Sequence, residues 1–229
     1  MVRVGTLLRG IAALGLFSAF LAVGPVSAAS NSSKDHTSHR LQMPGEPVRH
    51  RPQISMDAIR ALNLIVRTEN KDDPVYLEAR RVVSDGVAAR LILDPVQLDR
   101  NWSRAPRDHQ IAVLSALTQL GVPYIEGKED SYVKMDCSGL MWFAWRTAGV
   151  DMPRQAVSQL DIRMRVDRKD AIMGDVVGEG THVQMYLGVG LAMIHAPFDG
   201  KFVQFKIMSA EQAARVIWTN PSHIATYRL

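Results

Sequence analysis

The sequence predicts an α+β domain in which helices come first and an antiparallel sheet follows. Two observations carry this: helix-period apolar patterns fill the chain up to about residue 148, and short strand-like runs broken by glycine turns dominate from residue 175. The order of elements also divides the chain into residues 1–28, 29–54, 55–105 and 106–229, and each segment is justified in turn.

Residues 1–28 read as a secretory leader. Arg3 and Arg9 precede an apolar run over 11–23, and small residues around Ala28 offer a cleavage site. That run is shorter than the ~20 residues a membrane-spanning helix needs. The expected destination is therefore the cell envelope or beyond, with no stable span after cleavage. Residues 29–54 are rich in Ser, His, Pro and charge without apolar periodicity and read as a disordered linker.

In residues 55–105, Ser55 is positioned to cap a helix running to about Glu69, with Ile59, Leu62 and Val66 on one face. Asp73-Pro74 opens a second helix to about Leu93, its face formed by Val75, Ala79, Val82, Val83 and Leu91, and Asp94-Pro95 ends it. The two read as an antiparallel pair serving as spacer, partner-binding element or lid. A third helix over about 107–120 is stopped by Gly121 and Pro123. A strongly apolar helix spans 137–148. Strands are expected at 175–177, 182–187, 191–196 and 202–207, and 211–216 has the pattern of a terminal helical turn.

Composition narrows the function classes. The formal net charge is only +4, with no basic cluster on a helix face, so nucleic acid is not an expected partner. The chain contains one Cys. Exported proteins tend to use cysteines in pairs, so a single one is an intermolecular link, a working thiol or an inert core residue.

The surroundings of that thiol are informative. In Asp136-Cys137-Ser138-Gly139, Asp136 is a good N-cap, which puts Cys137 in the first helical turn. Positive partial charge and free N–H groups there favour a thiolate and can hold an oxyanion, while Gly139 leaves space beside the sulfur. A histidine partner is needed as well. In the strand beginning at His182, alternation puts Val183, Met185 and Leu187 on the core face, and His182, Gln184 and Tyr186 on the other. His195 lies on the next strand. A two-residue turn would place the histidines directly opposite, a three-residue turn on opposite faces, and a four-residue turn on one face along a diagonal. Unrelated strand histidines remain the competing account.

Six stretches in order carry a resemblance. They are Gly121-Val122-Pro123-Tyr124, Asp136-Cys137-Ser138-Gly139-Leu140, Ala148-Gly149-Val150-Asp151-Met152-Pro153-Arg154, Gly174-Asp175-Val176-Val177, His182-Val183-Gln184-Met185-Tyr186-Leu187-Gly188 and Met193-Ile194-His195-Ala196. With these, residues from about 106 to 215 resemble the NlpC (NlpC/P60) family of papain-like cell-wall endopeptidases. The resemblance implies Cys137 as nucleophile, His182 as general base and His195 as the group that orients it. Tyr124 would sit beside the nucleophile, and Asp136 and Ser138 would line the substrate groove. The implied substrate is a peptidoglycan stem peptide, cut between γ-linked D-glutamate and the following diamino acid. No metal or cofactor is implied. The family often has an aromatic-Gly-Gly stretch after the tyrosine, whereas this chain has Ile125-Glu126-Gly127. A papain-like amidase of other bond specificity and a non-catalytic wall-binding module are the alternatives. Arg154, His109 and His223 read as surface residues, Trp142 and Trp145 as packing residues, and Asp175 as the residue shaping its turn.

Overall fold

The computed structural model describes residues 51–227, so the expected leader and nearly all of the linker lie outside the described residues. Three helices open it: α1 (Gln53–Thr68), α2 (Pro74–Leu91) and α3 (Pro95–Arg104). The expected helical pair is thus a triplet. Asp94 does not end α2; its carboxylate caps α3 by accepting the amides of Val96 and Gln97, with Pro95 at the first helical position. Asp73 caps α2 in the same way.

The buried faces of α1 and α2 are rotated from the expected ones. In α1 the core takes Ala58, Ala61 and Ile65, while Val66 is exposed. In α2 it takes Tyr76, Ala79, Val83 and Val87, while Val75 and Val82 are exposed. The small alanines allow close helix–helix approach, and that outweighs the larger side chains one position away. Ser55 is not a cap: it lies inside α1, buried, and its hydroxyl donates to the Thr118 carbonyl at 2.7 Å.

Helix α4 (Arg107–Leu117) is central, with every residue from His109 to Leu117 buried. A short hairpin, β1 (Glu129–Asp130) and β2 (Lys134–Met135), precedes α5 (Cys137–Thr147), and α6 (Ala156–Gln159) follows. Then come β3 (Val176–Glu179), β4 (His182–Tyr186), β5 (Ala192–His195), β6 (Gln204–Ile207), α7 (Ala210–Ala213), β7 (Ile217–Thr219) and α8 (Ser222–Tyr227). The five long strands form one antiparallel sheet in the order β6-β5-β4-β3-β7. This is the expected α+β arrangement of helices against an antiparallel sheet. Strand β7, beyond the four expected, pairs with β3 through Val176–Thr219 and Val177–Trp218.

One continuous core runs from Ala58 in α1 through α4 and α5 to Met185 and Ile194 in the sheet. Helices α1–α3 therefore share that core with the rest of the domain. Polar bonds reinforce the join. Tyr76 Oη donates to Gln110 at 2.6 Å, Arg107 to the Ile65 carbonyl at 2.7 Å, and the Trp102 indole to the Leu187 carbonyl at 2.7 Å. Among the described residues no helix is long and apolar enough to cross a membrane.

Candidate active site

The site is built at the start of α5. Asp136 adopts an extended conformation and caps the helix, its Oδ1 accepting the Gly139 amide at 2.6 Å. Cys137 is therefore the first helical residue and is 6% exposed. Its sulfur lies 3.6 Å from the carbonyl of Thr181, the residue before β4 begins. Gly139 does not leave open space. A Cβ there would stand 2.3 Å from the Lys128 carbonyl oxygen, which accepts the Asp136 amide at 2.8 Å. Glycine is required so that this loop can lie directly on the helix start.

Burial raises the Cys137 thiol above its ordinary value, and the Asp136 charge adds to the rise. The amides of Val183, Ser138 and Cys137 itself pull the other way and do not overcome it. In the free protein desolvation therefore outweighs the helix N-terminus. The resting sulfur is a thiol that needs a base.

The candidate base stands on β4. The sheet register pairs Met185 with Ile194 and Tyr186 with Met193, and the Leu187 amide bonds the Ala192 carbonyl, so these two face each other and close a four-residue loop, 188–191. This even loop restores His195 to the face of His182, displaced along a diagonal. Gly188 (φ 91°) and Gly190 (φ 58°) take the left-handed conformations it needs. His182 Nε2 lies 3.3 Å from His195 Nδ1, with the two rings edge to face. His195 is buried and His182 half-buried. Burial lowers the imidazole pKa of both, and Lys206 adds to each; His195 also feels His182 and falls to about 4. Both rings are neutral at pH 7. The bond to His195 occupies His182 Nε2 and leaves its Nδ1 for another partner.

Tyr124 is held from two sides. Its amide donates to the Lys201 carbonyl at 2.8 Å, while the Ile125 amide reaches the Met135 carbonyl at 3.3 Å. Burial, then the charges of Cys137, Asp136, Glu126 and Asp199, push its phenol up to about 12, so it remains a proton donor. Tyr124, Asp136, Cys137 and Ser138 line one groove of about 450 Å³, together with Arg154 and Thr181. No residue from 51–105 lines it, so α1–α3 are not its lid.

Arg154 is not a loose surface residue. Its guanidinium donates to Asp136 Oδ1 (3.0 Å) and Oδ2 (2.9 Å), to Ser138 Oγ (2.8 Å) and to Glu129 Oε2 (2.9 Å). Sequence reasoning missed this role and that of Glu129; their spacing from the cysteine was the one signal, and it identifies no partner. His109 is also not at the surface. It is 1% exposed, with Nδ1 3.0 Å from Asp108 Oδ1, Nε2 3.4 Å from Asp175 Oδ1, and its ring against Trp145. His223 is half-buried.

Residues 121–221 match the NlpC/P60 family. Curated relatives include the Bacillus subtilis bifunctional muramidase/DL-endopeptidase CwlT, 32% identical over 90 residues, or 36% of this chain and 27% of the relative. Escherichia coli murein DD-endopeptidase MepH is 28% identical over 123 residues, or 49% of this chain and 45% of the relative. The Bacillus subtilis gamma-D-glutamyl-L-lysine dipeptidyl-peptidase is 33% identical over 93 residues, or 37% and 31%. The chain thus spans between about a quarter and a half of the length of these relatives.

Proposed function

Since residues 121–221 belong to the NlpC/P60 family, we propose that this chain is an exported cysteine peptidase that hydrolyses peptidoglycan stem peptides at the cell envelope. The observation that carries this reading is that Cys137 lines the groove with its sulfur 3.6 Å from the Thr181 carbonyl, one residue before His182, which is bonded to His195. The relatives' names give a muramidase, a DL-endopeptidase, a murein DD-endopeptidase and a gamma-D-glutamyl-L-lysine dipeptidyl-peptidase. The bond proposed for this chain lies between γ-D-glutamate and the diamino acid.

The chemistry follows from the neutral resting state. His182 Nδ1 takes the thiol proton as the sulfur attacks the carbonyl carbon. This requires the tautomer in which His182 Nε2–H donates to His195 Nδ1, and that bond fixes the ring and stabilises the imidazolium as it forms. The oxyanion is stabilised by amides at the start of α5 and by the Tyr124 hydroxyl, which stays protonated. His182 then returns the proton to the leaving amine, and water, deprotonated by the same ring, releases the acyl group from Cys137. Asp136 and Ser138 shape the substrate side of the groove and are themselves held by Arg154.

The test is digestion of purified peptidoglycan by residues 29–229, with Cys137→Ala alongside, and mass spectrometry of the fragments. Cleavage after γ-D-glutamate that vanishes in the variant is the expected result. Wall binding without cleavage by either protein would replace this reading with a binding module.

A further inference from the structure

The charge balance of the groove is uneven. Glu126, Glu129 and Asp136 line it against the single cation Arg154. Arg154 commits four of its five N–H groups to Asp136, Glu129 and Ser138. Asp136 is saturated, since its two oxygens also accept the Gly127 and Gly139 amides and the Ser138 hydroxyl. Most of the bonding capacity of both residues is thus spent on the arrangement that caps α5.

Glu126 is different. It is exposed at the groove and has no hydrogen-bond or ion-pair partner among the described residues. It is close enough to Tyr124 for its charge to act on the phenol, so it belongs to the wall that carries the reacting atoms. One oxygen of Glu129 accepts Arg154 Nε, and its other oxygen makes no such bond among the described residues. The groove therefore presents one unmatched carboxylate and half of another to whatever enters it.

We infer that Glu126 is a specificity-determining residue that pairs with a primary ammonium group of the bound peptide, so that the site selects amine-bearing peptides over their acylated forms. This rests on the peptidase reading above and names a substrate feature within it. Two ammonium groups have the required chemistry: a free N-terminal amine on a stem peptide released from its glycan, and the side-chain amine of the diamino acid. An exposed ion pair is worth about two- to fivefold in affinity, and a partly desolvated groove raises this towards about tenfold. Salt screens such a pair, so the preference shrinks as ionic strength rises.

The experiment uses the full-length mature chain carrying Cys137→Ala, so that peptides bind without being cut. Calorimetry at low salt and pH 7 compares L-Ala-γ-D-Glu-L-Lys with its N-terminally acetylated and its side-chain-acetylated forms. One acetylation is expected to weaken binding by about five- to tenfold, and the form affected identifies the amine. Adding Glu126→Gln is expected to bring that ratio to within about twofold, while Glu211→Gln on exposed α7 leaves it intact. Equal binding of all three peptides, no binding of any, or a preference that survives Glu126→Gln would overturn the inference. The peptidoglycan digestion is scored separately. Digestion without an amine preference removes Glu126's role alone, and an amine preference in a protein whose intact Cys137 cleaves neither peptidoglycan nor free L-Ala-γ-D-Glu-L-Lys removes the peptidase reading alone.

Discussion

Replacing Trp102 with Phe should destabilise the domain by about 2–4 kcal/mol. The indole is completely buried, and its N–H donates at 2.7 Å to the carbonyl of Leu187, itself completely buried. Phenylalanine keeps much of the apolar volume but has no donor. A buried carbonyl stripped of its partner costs about 1–3 kcal/mol, and the missing part of the indole leaves a small cavity costing about 1 kcal/mol more. Asn101 binds the next carbonyl, Gly188, at 2.7 Å from a less buried position, so Asn101→Ala should cost only about 1 kcal/mol. Because both side chains clasp one loop, the double variant should lose less than the sum of the singles. Urea unfolding of the four proteins gives all three numbers. A Trp102→Phe loss below about 0.5 kcal/mol would refute the claim that this bond joins α3 to the sheet.

Further outcomes follow from the charges and from the histidine pair. Burial holds the Cys137 thiol above its ordinary value of 9.0, so alkylation by iodoacetamide in the free protein should keep accelerating past pH 9, and a plateau near neutrality would refute the thiol resting state. His182 is depressed below 6.5 by burial and Lys206, and it acts neutral, so the acid limb of kcat/KM should fall below pH 6.5; His195→Ala should lower kcat on the order of 10²–10⁴-fold with little change in KM. For His109, burial alone would lower the pKa, but the bond to Asp108 and the Asp175 carboxylate 3.4 Å away raise it above 6.5. Its stabilisation is therefore complete below pH 6.5 and lost as pH rises through the raised folded value. Asp108 is opposed by burial but lowered to about 2 by His109 and Ser222, so its share is present above 3.8 and lost as pH falls towards 2. Urea midpoints from pH 3 to 9 for wild type and His109→Gln check both, and an alkaline decline that persists in the variant would count against the His109 account.

The residues proposed to react each lie in a short local pattern. Asp136-Cys137 announces a capped helix start, and alternation from His182 separates the histidine from the core positions of its strand. What a linear pattern cannot give is a quantity set by tertiary contact. The turn between the histidines admitted loops of two, three or four residues, and the observed four is fixed by Leu187 N–H bonding to the Ala192 carbonyl and by Gly188 packing on Met173. Helix α3 was hidden because only Leu98 and Trp102 of its ten residues are buried, leaving a polar sequence after what looked like a stop. Strand β7 has three residues and pairs with a strand about forty positions earlier. Arg154 looked like a surface residue because its four acceptors lie 16 to 25 positions away.

The same contacts give the N-terminal helices a specific consequence for the histidine pair. Asn101 and Trp102 reach from α3 to the carbonyls of Gly188 and Leu187, at the start of the loop whose length brings His195 onto the face of His182. The helices do not line the groove, so they act on it through this loop and through the core they share with α4. Removing residues 29–105 would expose the face of α4 that packs on α1, and would leave Gln110, Thr118 and Leu187 without their partners Tyr76, Ser55 and Trp102. Three lost bonds to buried groups alone amount to about 3–9 kcal/mol, comparable with the whole stability of a domain of this size. Residues 106–229 should therefore be unfolded or molten by near-UV circular dichroism and inactive on peptidoglycan. A truncated protein that is cooperative and cleaves faster than the full chain would instead make α1–α3 an inhibitor and overturn this account of their role.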